Sequence, residues 1–169
     1  MPNNDLDKYG KFKDKKPQNN IKNIDGLQYL INDHIKIRDM FAVLKISNDL
    51  TKKKEIIKKL VYHIFNHALI ENLYLYPLIE SKLDDTIWME RAHMDNKLNK
   101  DMLLTLSEMN PIKDTDTNLF QRTIDKFIMI ENEHMNEEEI NIFPALQKVM
   151  SVTELYELGN NIVESISKS

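Results

Sequence analysis

A repeated histidine–glutamate pattern constrains the fold of this chain more than any other feature. Residues 67–77 (HALIENLYLYP) and residues 134–144 (HMNEEEINIFP) share it. Each segment carries a histidine, a glutamate four residues later and, after five more residues, a proline preceded by an aromatic residue. Residues i and i+4 lie on one face of an α-helix, about 6 Å apart along its axis. The histidine and glutamate of each segment can therefore reach one point inside a helical bundle.

The composition favours long helices and restricts the chemistry of any bound metal. Three glycines in 169 residues are too few for the turns of a β-sandwich or barrel. The absence of cysteine excludes disulfides, iron–sulfur ligation and thiol catalysis, so histidines and carboxylates must hold any metal. The net charge of -4 gives no reason to expect nucleic acid as a partner. We find no apolar run of membrane-spanning length and no secretory signal, and we expect a cytoplasmic protein.

Apolar residues at helical spacing predict an all-α fold. We expect an antiparallel, up-and-down four-helix bundle over residues 23–169, with a flexible polar arm at residues 1–22. Ser151 and Glu154 form a capping box that begins a short fifth helix across one end of the bundle. The four long helices are predicted from residue 23 or 25 to about 48, from after residue 51 to about 81, from 85 to 108, and from 117 or 118 to about 150.

Each predicted long helix carries a histidine, and these histidines can lie at the same depth in the bundle. His63 lies one turn before His67 and is an additional ligand or an outer partner. The pattern around His93 is diffuse, because Met94 and Leu98 point away from it. Two divalent ions about 3.5–4 Å apart need bridging carboxylates, and imidazole with carboxylate suits iron, manganese or zinc. The candidate ligands are His34, His67, Glu71, His93, His134 and Glu138.

Two other interpretations use the same residues. In an ordinary helical interaction module these would be core histidines and surface glutamates, but buried acids and imidazoles without a metal are costly to desolvate. Ferritin-like di-iron bundles use Glu-x-x-His on two helices and a glutamate on each of the other two. Residues 90–93 and 131–134 satisfy the first requirement, but the first predicted helix contains no glutamate.

The order of these motifs resembles the hemerythrin-like (HHE cation-binding) family over about residues 24–165. The resemblance also includes DHIKIRDMF around His34 and ERAHMDNKL around His93. It implies two iron ions, oxo- or hydroxo-bridged, in a four-helix bundle, with manganese or zinc as less suitable metals. It assigns four terminal ligands and two bridges, namely His34, His67, His93 and His134 with Glu71 and Glu138.

The resemblance implies that dioxygen or a related small diatomic ligand binds for storage, sensing or stress protection. Oxygen-carrying hemerythrins have a second histidine where Lys97 stands here, so one iron should have a more open coordination sphere. One alternative is an enzyme for peroxide or nitric oxide detoxification, or for iron–sulfur centre repair, although the repair proteins have a cysteine that this chain lacks. Another is an iron- or oxygen-responsive interaction module. We expect a monomer or a weak homo-oligomer.

Overall fold

The predicted all-α bundle is confirmed. A computed structural model describes residues 24–110 and 116–167, and these residues contain helices but no strand. The predicted arm at residues 1–22 lies outside the described residues. No helix in the described ranges combines the length and apolar character needed to cross a bilayer. The helices are α1 (Gly26–Ile46), α2 (Leu50–Ile70), α3 (Tyr76–Leu83), α4 (Thr86–Glu108), α5 (Thr117–Glu137), α6 (Phe143–Val149) and α7 (Val152–Ser167).

Side chains cap the helices where the sequence places short polar residues. Asp25 accepts hydrogen bonds from two backbone N–H groups of α1, and Asp49 does the same for α2. These bonds satisfy donors that have no partner within the helix. The predicted capping box is confirmed, since the Ser151 N–H donates to Glu154 Oε2 at 2.7 Å and the Glu154 N–H donates to Ser151 Oγ at 3.3 Å.

Two wide, π-helical turns interrupt the bundle at the repeated motifs. The turn π1 (Glu71–Leu75) joins α2 to α3, and π2 (Glu138–Ile142) joins α5 to α6. A proline follows each turn at the second residue of the next helix. Proline has no N–H and its ring clashes with the carbonyl four residues back, and the wider turn accommodates this. Such turns occur frequently at functional sites.

The core consists of two apolar layers with a polar layer between them. On α1, for example, Leu27 and Leu30 belong to one apolar cluster, Ile37 and Phe41 belong to the other, and His34 lies between them. The other long helices follow the same order, so their buried polar residues meet at one depth. These residues are His67 and Glu71 near the end of α2, Asn96 and Asn99 on α4, and Glu131, His134 and Glu138 near the end of α5.

The C-terminal helix α7 packs tightly against the start of α1. A Cβ atom built on Gly159 would lie 1.8 Å from the Ile24 carbonyl oxygen. One built on Gly26 would lie 2.3 Å from the Leu158 side chain. Only glycine permits this approach of the two backbones, which closes the end of the bundle over the apolar layer that contains Leu27.

Candidate metal centre

Four buried side chains from three parts of the bundle converge within the polar layer. His34 comes from α1, His67 from α2, and Glu71 and Glu138 are the first residues of π1 and π2. One ligand atom from each of the four lies within 4.8 Å of all the others. His67 Nε2 is 2.7 Å from Glu71 Oε1, and His34 Nε2 is 3.3 Å from Glu138 Oε2. The four atoms surround a point that a cation can occupy.

His134 faces the opposite side of the same two carboxylates. Its Nε2 atom is 3.8 Å from Glu71 Oε2 and 3.7 Å from Glu138 Oε1. Each glutamate therefore turns one oxygen toward His34 and His67 and the other toward His134. Carboxylates arranged in this way can bridge two cations.

Several inward-facing atoms of this cluster have no hydrogen-bond partner. Among the described residues they are Glu71 Oε1, His134 Nε2 and both carboxylate oxygens of Glu138. The close contacts of Glu71 Oε1 with His67 and of Glu138 Oε2 with His34 are hydrogen bonds only when the imidazole carries a proton on Nε2. Each of these atoms is fully enclosed by protein, and a buried polar atom without a partner costs roughly 1–3 kcal/mol. The cost is explained if the atoms share a cation, because all four are donors suited to a metal ion.

Two further carboxylates fix the orientation of the imidazoles. Asp33 Oδ2 lies 3.1 Å from His67 Nδ1, and Glu139 Oε1 lies 2.7 Å from His34 Nδ1. Arg38 Nη1 donates to the same Glu139 oxygen at 2.7 Å. With the proton on Nδ1, each ring turns its Nε2 lone pair inward, which is the arrangement that carboxylate partners give to metal-binding histidines.

Helix α4 contributes amides to the cluster. The Asn96 side chain donates to Glu71 Oε2 at 2.9 Å and to the Tyr76 hydroxyl oxygen at 2.6 Å. The Tyr76 hydroxyl donates to the same Glu71 oxygen at 3.3 Å. One turn further along α4, the Asn99 side chain donates to Glu131 Oε2. The amides thus hold two buried carboxylates without adding charge.

The charged groups of the cluster shift one another's pKa values. Burial opposes the charge of His67, but Glu71 and the hydrogen bond to Asp33 raise its pKa well above the usual range. Burial likewise opposes the charge of His134, and Glu138 and Glu71 raise its pKa to about 10. Burial would raise the pKa of Glu71, yet His67 and His134 hold it well below its ordinary value. Burial raises the pKa of Glu131.

The sequence of residues 25–146 matches the hemerythrin HHE cation-binding domain family. The chain belongs to this family. A solved structure of a hemerythrin HHE cation-binding domain-containing protein from Mycobacterium kansasii shares the fold with a TM-score of 0.71. It is 20% identical in sequence, and the match covers 86% of each chain. A comparison with curated protein sequences gives no match. The resemblance seen in the sequence is therefore confirmed at the level of family and fold, and the chain is a helical cation-binding-domain protein.

Two of the seven histidine and glutamate candidates in this hemerythrin-like chain do not join the cluster. His93 is exposed on α4, where its ring meets Tyr76 edge-on with the centroids 4.7 Å apart. The buried face of α4 carries Asn96 and Asn99 instead. His63 is half-buried and lines a separate surface cavity of about 180 Å³ together with Asp33. The other five candidates, His34, His67, Glu71, His134 and Glu138, are brought together.

The sequence interpretation also missed residues that the fold adds to the cluster. Asp33 and Glu139 each neighbour a candidate ligand in the sequence but contact a histidine from another helix. Asn96 and Asn99 continue the apolar stripe of Trp88, Ala92 and Leu103 at helical spacing, and this periodicity was the signal that could have revealed them.

A cavity of about 210 Å³ between α4 and α5 leads to the His134 side of the cluster. His134 and Ala92 lie at its inner end, and Asp95, Glu133 and Glu137 also line it. A water molecule occupies about 30 Å³ of liquid volume. The cavity can therefore admit water or a diatomic molecule to the imidazole of His134.

Proposed function

We propose that this chain holds two iron ions and binds dioxygen or a related small diatomic ligand at them. The protein would serve in storage, in sensing, or in protection against oxidative or nitrosative stress. The observation that carries the proposal is the two-sided placement of Glu71 and Glu138 between His134 and the pair His34 and His67.

The donor set fits two cations. One ion would be held by His34 and His67, with Glu71 Oε1 and Glu138 Oε2. The other would be held by His134, with the second oxygen of each glutamate. Each ion would satisfy atoms that otherwise lack partners. Imidazole with carboxylate and no thiolate suits iron, with manganese or zinc less favoured by the family resemblance.

The surrounding residues of the chain would hold these donor atoms in the orientation that binds a metal. Asp33 and Glu139 hold the Nε2 atoms of His67 and His34 inward, and Asn96 holds the Glu71 carboxylate across the layer. Iron bound here would supply the electron-transfer chemistry that protein side chains lack. The cavity beside His134 would admit the small ligand, while the apolar layers above and below exclude bulk water.

Metal analysis combined with optical spectroscopy tests this proposal. We expect about two irons per chain and a near-ultraviolet band that bleaches on reduction and returns on exposure to air. Glu138→Gln should lower the iron content, because an amide is a neutral and weaker donor than a carboxylate. Glu55→Gln, which removes an exposed carboxylate from α2 outside that cavity, should not.

Three results would contradict the proposal. One iron or zinc per chain would exclude a two-ion centre. Reduced, iron-loaded protein that shows no spectral change with dioxygen would exclude dioxygen as the ligand. A chain that binds no metal at all would favour the interaction-module interpretation instead.

An enzyme is the second candidate, because the His134 side has a single imidazole and faces an open cavity. Such a position leaves room for peroxide or nitric oxide to react rather than only to bind. Catalytic turnover of either substrate by the loaded protein, lost in Glu138→Ala and kept in Glu55→Gln, would establish this function. Stoichiometric, reversible binding without turnover would support the first proposal.

A further inference from the structure

The carboxylate of Glu131 is buried in the polar layer without a counter-charge of its own. Its residue is 1% exposed. Within the described residues it forms no ion pair with a lysine or arginine, and its Oε2 atom accepts a hydrogen bond from the neutral side chain of Asn99. Isolated carboxylates are rarely buried in this way, because removing the charge from water is expensive.

The backbone places Glu131 beside the cluster. It lies one helical turn before His134 and two turns before Glu138 on the same face of α5. Helical side chains lean toward the N-terminus of their helix, so His134 leans over the turn that carries Glu131. Burial raises the pKa of Glu131, while the charges of His134 and His67 oppose this shift.

An asparagine side chain of α4 donates a hydrogen bond to Glu131, and another donates to Glu71. Asn96 donates to Glu71 Oε2, which faces His134. Asn99, one turn along the same helix, donates to Glu131 Oε2. The two amides thus hold two carboxylates on the side of the polar layer that faces α4. Among the described residues, His134 Nε2 in this layer has no hydrogen-bond partner.

We infer that Glu131 is a third carboxylate of the metal centre and binds the ion on the His134 side. The inference rests on the proposed two-ion function. It makes the two positions unequal: one is held by His34 and His67, the other by His134 and Glu131, and both share the bridging carboxylates. Two divalent ions bring four positive charges, and three carboxylates balance three of them, whereas the two bridges alone balance only two.

Anaerobic titration of the metal-free full chain with ferrous iron tests the inference. Wild-type protein should bind two ions. Glu131→Gln keeps the size of the side chain and one oxygen that can accept from Asn99, but removes the charge. We expect it to bind the first ion with wild-type affinity and the second at least about 10–100-fold more weakly, since even an outer partner of a ligand has an effect of that size. The matched control, Glu55→Gln, removes an exposed carboxylate on α2 and should bind both ions normally.

Thermal unfolding gives a second measurement that does not depend on activity. Metal-free Glu131→Gln should melt at or above the wild-type temperature, because a neutral amide costs less to bury than a carboxylate. At an iron concentration that just saturates the wild type, its rise in melting temperature should be smaller than that of the wild type, because the second ion binds more weakly to the folded state.

Three outcomes would overturn the inference. If Glu131→Gln binds two ions with wild-type affinity, Glu131 is a buried acid outside the centre, while the two-ion function stands. If metal-free Glu131→Gln melts well below the wild type, the residue has a structural role. If the wild type itself binds one ion, the inference and the proposed function fail together.

Discussion

Removal of the metal should make the stability of this protein depend on pH through its buried imidazoles. Burial opposes the charge of His134, but Glu138 and Glu71 raise its pKa from 6.5 to about 10. The pKa of His67 is raised in the same direction. A group whose pKa is higher in the folded state stabilises the fold fully below its unfolded pKa, and this contribution is lost as the pH rises through the folded pKa. The free energy of unfolding should therefore fall between pH 6.5 and pH 10.

The size of the effect follows from the pKa of His134. A shift from 6.5 to about 10 corresponds to about 5 kcal/mol at low pH, of which about 2.5 kcal/mol is lost between pH 7 and pH 9. For a domain of this size, such a loss lowers the melting temperature by roughly 5–10 °C. His67 contributes with the same sign.

Calorimetry or urea unfolding of chelator-treated protein at several pH values between 6 and 9.5 measures this dependence. His134→Gln should flatten the profile of the metal-free protein, because one titrating group is gone. Iron-loaded protein should show the opposite trend, since metal binding requires neutral imidazoles and is favoured as pH rises. Metal-free wild-type protein whose stability is constant or rises from pH 7 to pH 9 would refute the reasoning.

Three further substitutions test other parts of the centre. Asp33→Ala removes the carboxylate beside His67 Nδ1, and we expect iron affinity to fall about 10–100-fold in an anaerobic titration; an unchanged affinity would show that the orientation of the ring does not depend on this contact. Ala92→Leu adds side-chain volume to the cavity that leads to the centre, so stopped-flow mixing of reduced protein with dioxygen should give a slower reaction at unchanged iron content. An equal rate would place the entrance elsewhere. His93→Ala removes an exposed ring, and iron content should stay at the wild-type level; a loss of one iron would restore His93 as a ligand.

The sequence predicted most of the helical architecture because the relevant signals are local. The spacing of apolar residues and the capping box act within a few residues of their own position. In the structure a wide turn precedes the aromatic–proline pair of each repeated motif. The spacing of His67 from Glu71 and of His134 from Glu138 was sufficient to place each pair on one helix face.

The third long helix shows where the sequence alone did not suffice. The family resemblance favoured His93, whereas the structure buries Asn96 and Asn99 and leaves His93 exposed. An asparagine on a helix usually indicates a solvent-facing position, so the sequence did not predict that either amide would belong to the site. The role of such an amide depends on a carboxylate from another helix, as the contact of Asn99 with Glu131 shows.

The sequence by itself determined that this chain forms long helices and which residues could bind a metal, because helix formation and i, i+4 spacing depend on neighbours along the chain. Tertiary structure alone decided which oxygen of Glu71 faces which imidazole, and that Asp33 and Glu139 each support a histidine on a different helix. The contacts of Asp33 with His67 and of Glu139 with His34 join residues 34 and 105 positions apart. Their distances depend on how the helices pack, which no local pattern in the sequence specifies.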